Sequence, residues 1–132
     1  MTLRTASCRC GQLQAECDGE PVRISVCHCL DCQKRSGSAF SVQARWPDEQ
    51  VKVTGLSKTW EPPAEEGRRA SFRFCPDCGS TISYTIEALP GLTAVPIGCF
   101  AEPGFPQPHY SVYEERKQRW VQIVGDGIEH LD

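Results

Sequence analysis

The spacing of nine cysteines constrains this chain more than anything else in its 132 residues. They fall as Cys8-x-Cys10, Cys27-x-Cys29-x-x-Cys32 and Cys75-x-x-Cys78, with Cys17 and Cys99 standing apart. An odd count cannot pair fully into disulfides within one chain. The opening MTLRTASC also lacks the apolar stretch of a secretory signal, so a reducing, cytoplasmic setting is expected. Where thiols stay reduced, clusters at this spacing bind metal or do chemistry.

The rest of the chain must bring those groups together. Its length suits one domain, 1–132, and 39% hydrophobic with 23% charged residues is the balance of a globular protein. No apolar run approaches the roughly 20 residues that cross a bilayer. A formal charge of -3 argues against nucleic acid or an anionic membrane as partner.

Period-two alternation marks short strands at Leu13/Ala15/Cys17, Val22/Ile24/Val26, Phe40/Val42/Ala44/Trp46 and Val51/Val53. Further strands are expected at 71–74, 81–86, 92–97 and 120–124. Residues 61–69 form a polar, proline-rich excursion between strands, and prolines keep 102–108 irregular. Val112–Arg116 fits one helical turn or a strand. Helical periodicity over ten residues appears nowhere, so the class is mainly β.

Zinc in a structural site takes four tetrahedral ligands, and thiolate is a favoured donor. Cys75-Pro76-Asp77-Cys78-Gly79 has the composition of a turn presenting two sulfurs, with Gly79 free to adopt positive φ. Cys8-Arg9-Cys10-Gly11 is its natural partner, giving a four-thiolate staple from the amino terminus to the middle of the chain. Cys27, Cys29 and Cys32 then remain as three thiols within six residues. Three protein ligands with an open fourth position make a catalytic zinc site, whereas a fourth ligand such as His28 or His109 would close it.

Read together, Cys8-x-Cys10-Gly11, Cys27-His28-Cys29-x-x-Cys32 and Phe74-Cys75-Pro76-x-Cys78-Gly79-Ser80 resemble the glutathione-dependent formaldehyde-activating enzyme (GFA) family, which includes the centromere protein V domain. Ile97-Gly98-Cys99-Phe100-Ala101-Glu102-Pro103, with Pro108, Tyr113 and Trp120-Val121, is similar to that family's carboxy-terminal half. The resemblance implies a β-tent fold of small antiparallel sheets stapled by zinc. It assigns Cys8, Cys10, Cys75 and Cys78 to a structural zinc and Cys27, Cys29 and Cys32 to a catalytic zinc, two ions per chain. The activity it implies is carbon–sulfur lyase chemistry, the addition of glutathione or a similar small thiol to formaldehyde or another small aldehyde.

Two other functions fit the cysteines, a non-catalytic zinc module that binds a protein partner and a thiol-redox or metal-buffering protein. Lys34 and Arg35 read as solvated cations or as a carboxylate subsite. Cys17 is expected in the core, and Cys99 as buried filler or a pocket thiol. His28 is a spacer or an acid–base group, His109 is structural, and His130 belongs to the tail. Trp46, Trp60 and Trp120 are expected to pack in or beside strands.

Overall fold

A computed structural model describes residues 2–63 and 67–132. Among the described residues eleven strands form two sheets, as the alternating pattern leads one to expect. The smaller is antiparallel, in the order β1 (Leu3–Ser7), β2 (Gln14–Asp18), β5 (Val51–Thr54). The larger runs β11 (Glu129–His130), β10 (Tyr110–Val112), β3 (Arg23–Cys27), β4 (Ser41–Pro47), β9 (Leu92–Pro96), β8 (Thr81–Ile86), β7 (Ala70–Phe74), β6 (Lys58–Trp60). It is mixed, because β10 lies parallel to both β3 and β11. Among the described residues no helix is long and apolar enough to cross a membrane.

The core lies where the two sheets face each other. Ala6, Leu13, Ala15 and Cys17 from the first meet Ile24, Ala44, Trp46, Ile82 and Val95 from the second. Leu13, Ile24, Ile82 and Val95 are at most 1% exposed, and burying each is worth roughly 1.5–3 kcal/mol. Trp46 is fully buried, and its indole N–H donates to Gly19 O at 2.8 Å, so the ring adds area without an orphaned donor. A bulge between Arg73 and Phe74 shifts the β7–β8 register. It lets Ile82 join the core while Tyr84, two residues on, enters a polar network instead.

Several sequence expectations need correction. Leu3–Ser7 is a strand that alternation did not mark, since only Ala6 in it is buried. Val22 precedes β3 and is exposed. Residues 120–124 are not a strand: Trp120 is 77% and Val124 76% exposed, and Val121 N closes a turn onto Gln118 O. The β10 edge is instead covered by β11, whose Glu129 pairs with Tyr110. Trp120 therefore packs into nothing buried, whereas Trp60 lies 6.0 Å from the Phe72 ring. His130 is no loose tail, since it sits in β11 with Nδ1 2.7 Å from Glu114 Oε2. Residues 112–116 divide between the two alternatives, Val112 ending β10 and Glu114–Arg116 forming one 3-10 turn. The excursion between β6 and β7 joins two paired strands; its residues 64–66 lie outside the described residues.

One short helix, α1 (Leu30–Ser36), follows β3. It buries none of its residues and its seven-residue length is below what periodicity reveals. Cys29 caps its start and Gly37, at φ 67°, ends it.

Candidate metal centres

Two turns build the first cluster. Cys8 follows β1, and Gly11 N closes onto Cys8 O at 3.0 Å with Gly11 at φ 89°. Between β7 and β8, Gly79 N closes onto Cys75 O at 2.9 Å with Gly79 at φ 81°. Each turn needs a left-handed residue just after its second cysteine, and glycine is the residue that supplies it without strain.

The turns bring Cys8, Cys10, Cys75 and Cys78 together with all four sulfurs within 4.8 Å of one another. Cys8 and Cys10 Sγ lie 3.6 Å apart, and Cys10 and Cys75 Sγ 3.7 Å. A tetrahedron of sulfurs about 2.3 Å from a zinc ion has edges of about 3.8 Å. A disulfide would need about 2.05 Å. The spacing fits a shared ion and not a bond.

Hydrogen bonds converge on the same sulfurs. Gln12 Nε2 reaches Cys75 Sγ at 2.9 Å, Leu13 N reaches Cys8 Sγ at 3.3 Å and Asp77 N reaches Cys75 Sγ at 3.4 Å. Gln12 also spans the Leu56 backbone, donating to its O at 2.8 Å and accepting from its N at 2.9 Å. Such donors favour thiolate over thiol. The Ser80 hydroxyl and backbone N–H draw Cys78 down to about 5. The Gln12 backbone N–H pulls Cys10 the same way, but the Cys8 thiol, burial and Cys75 outweigh it and push Cys10 up to about 12. Four crowded sulfurs cannot all ionise unaided, and a cation is what allows it.

The second cluster sits where β3 gives way to α1. Cys27 ends β3, beside Ser41 of β4 on one side and Val112 of β10 on the other. Cys29 caps α1, its sulfur accepting from Cys32 N at 3.3 Å. Cys32, one turn on, faces back, and the three sulfurs also lie within 4.8 Å of one another. The neighbouring Cys27 and Cys32 thiols draw Cys29 down to about 2, while Cys29 and Cys32 push Cys27 far up. This donor set too fits a soft cation, and each cluster could hold one.

Neither candidate histidine joins the trio. His28 is fully buried with Nε2 2.9 Å from Ser111 Oγ, and Nδ1 has no partner. Burial pushes its ring pKa down, so it sits as a neutral imidazole pinning β10 to the cysteine turn. His109 Nδ1 accepts from Ile24 N at 3.1 Å and is structural, as expected. Cys17 is core and Cys99 packs against the core with its sulfur 3.4 Å from Thr81 O.

Sequence reasoning missed Gln33. Its amide donates to His28 O at 2.8 Å and Arg116 O at 3.1 Å, and accepts from Gln118 at 2.9 Å. It thereby latches α1 to the segment after β10. Nothing in the local pattern signals a latch to residues more than 80 positions away. Arg35 is also not a freely solvated cation. Its guanidinium lies 4.9 Å from the Tyr84 ring and 5.4 Å from the Phe72 ring.

Comparison with known proteins agrees with the cysteine geometry. Residues 3–116 match the family described as glutathione-dependent formaldehyde-activating enzyme. A crystal structure of a Rhodobacter sphaeroides protein shares the fold, with a TM-score of 0.59 over 77% of this chain and 90% of that one, at 17% identity. No curated protein matches. The chain belongs to the glutathione-dependent formaldehyde-activating enzyme family.

Proposed function

We propose that this chain, as a member of that family, forms carbon–sulfur bonds, adding glutathione or a similar small thiol to formaldehyde or another small aldehyde. Cys27, Cys29 and Cys32 hold the catalytic zinc, and Cys8, Cys10, Cys75 and Cys78 the structural one. The observation that carries the reading is the inequality of the two clusters. One gathers four thiols from the chain; the other gathers three, with no histidine completing it. A zinc ion held by these three thiolates would supply the Lewis acidity that lowers the pKa of a substrate thiol toward neutral.

The chain's own residues position that chemistry. Cys27 is anchored in a paired strand, and Cys29 and Cys32 are fixed to each other by the helix cap. Gln33 and the His28–Ser111 contact hold the turn against β10 and so fix where the three sulfurs stand. Such preorganisation removes the ordering cost from the reaction. The addition itself is balanced. The substrate sulfur forms a bond to the aldehyde carbon, the carbonyl electron pair moves to oxygen, and oxygen gains one proton for the one sulfur lost. No oxidant or reductant is consumed.

The experiment is a thiol–aldehyde adduct assay, glutathione with formaldehyde, on wild type and Cys32→Ser. The expected result is enzyme-dependent adduct formation that the substitution abolishes while the circular dichroism spectrum is retained. Equal rates from the two proteins would refute the reading.

A further inference from the structure

The face of β3 and β4 turned away from the core carries polar residues that are nonetheless buried. Ser25, Ser41, Gln43 and Arg45 are each at most 6% exposed. They are joined in sequence along the face. Arg45 Nη1 donates to Ser25 Oγ at 3.2 Å, and Gln43 Nε2 donates to the same oxygen at 2.9 Å. Ser41 Oγ at 3.0 Å and Tyr84 Oη at 2.6 Å both donate to Gln43 Oε1. The chain of bonds ends at Ser41, which is paired across the ladder with Cys27.

Arg45 is the anomaly in this network. It is 5% exposed, yet no carboxylate among the described residues lies within ion-pair distance of it. Its contacts are a serine hydroxyl and the face of Tyr84, 5.8 Å away, a ring that Arg35 also borders. An unpaired buried cation is costly, and guanidinium cannot shed its proton to escape the cost. A negative charge on this face would offset that cost. The cysteine trio lies along the same face, since Ser25, which Arg45 touches, stands two residues before Cys27 on β3. Three thiolates around a divalent zinc carry about one net negative charge.

We infer that Arg45 is the counter-charge of the Cys27/Cys29/Cys32 site, a positioning residue whose guanidinium, held in place by the Ser25 hydroxyl, stabilises the three thiolates in their metal-bound form by its charge along this face. The inference rests on the proposed reading that those cysteines hold zinc as thiolates. The pairing works in both directions. The cation raises the affinity of the site for metal, and the filled site relieves the cost of burying the cation.

The test uses the full chain carrying zinc at the four-cysteine site, with cobalt(II) titrated into the other and followed by its thiolate charge-transfer absorption. Arg45→Met, which keeps bulk and removes charge, is expected to weaken cobalt binding about 10- to 100-fold, the range seen when outer-sphere partners are lost. Arg45→Lys, which keeps a cation at the position without the planar fork, is expected to bind cobalt more tightly than Arg45→Met. Both variants should retain zinc at Cys8, Cys10, Cys75 and Cys78, which reports that they are folded. Arg45→Gln serves in the same comparison if Arg45→Met loses that zinc. Cobalt affinity unchanged in the neutral variant, or weakened as much by Arg45→Lys, would overturn the counter-charge role. A wild-type chain showing no cobalt–thiolate band at the second site would instead overturn the reading on which the role rests.

Discussion

The two cysteine clusters should differ sharply in what they contribute to stability, and the difference can be worked from their positions in the chain. An ion shared by Cys10 and Cys75 cross-links residues 65 apart, joining the turn after β1 to the turn before β8. The chain-closure entropy it removes from the unfolded state is worth about 4 kcal/mol. Cys27, Cys29 and Cys32 lie within six residues, and the same relation gives about 2 kcal/mol for that loop. Cys75→Ser should therefore destabilise the zinc-loaded protein by about 2 kcal/mol more than Cys32→Ser. For a chain of this size that is a difference of roughly 6–12 °C in melting temperature. The assay is thermal unfolding of the reduced proteins, each with saturating zinc, followed by circular dichroism. If Cys32→Ser lowers the midpoint as far as Cys75→Ser does, the staple argument is wrong and the small loop holds more of the fold than its length allows.

Three further outcomes follow from particular contacts. Gln12→Ala removes the 2.9 Å N–H···S bond to Cys75 and both bonds to Leu56, so zinc should be lost faster to a colorimetric chelator and stability should fall by about 1–3 kcal/mol; unchanged release kinetics would refute this. Trp46→Phe leaves Gly19 O without its buried donor and should cost about 1–3 kcal/mol in urea unfolding, whereas Trp120→Ser, at a site 77% exposed, should stay within about 0.5 kcal/mol. Burial pushes the Glu114 carboxyl up, but the 2.7 Å contact with His130 and the Ser111 hydroxyl outweigh it and hold it below its ordinary value. Its contribution is then full above the unfolded carboxyl value near pH 4.3 and is lost as pH falls through the folded one, so the stability gap between wild type and Glu114→Gln should close on acidification from about pH 5 to pH 3.

The clusters were legible in the sequence because tight turns need few residues, and the spacing of Cys8/Cys10 and Cys75/Cys78 already states which sulfurs a turn can present together. Strands that bury one clean face, such as Leu13/Ala15/Cys17 or Ala44/Trp46, were legible for the same local reason. What escaped was non-local. Alternation placed Ser25, Gln43 and Arg45 on the second face of β3 and β4, but cannot say that this face is covered, because the cover comes from Tyr84 across the sheet and Arg35 above it. The parallel docking of β10 beside β3 and the Gln33 latch depend on residues about 80 positions apart. Residues 120–124 misled because Trp120, Val121 and Val124 look like strand residues, yet Trp120 and Val124 lie exposed and the segment turns instead of pairing.

Counting metals on the gently purified, reduced chain by native mass spectrometry tests the central claim most directly. The account predicts two zinc ions per chain, with one leaving under mild chelation while the other stays and the fold persists. A single, tightly held zinc that Cys32→Ser leaves in place would contradict it, confining metal to Cys8, Cys10, Cys75 and Cys78 and leaving the three-cysteine site without the ion its proposed chemistry requires.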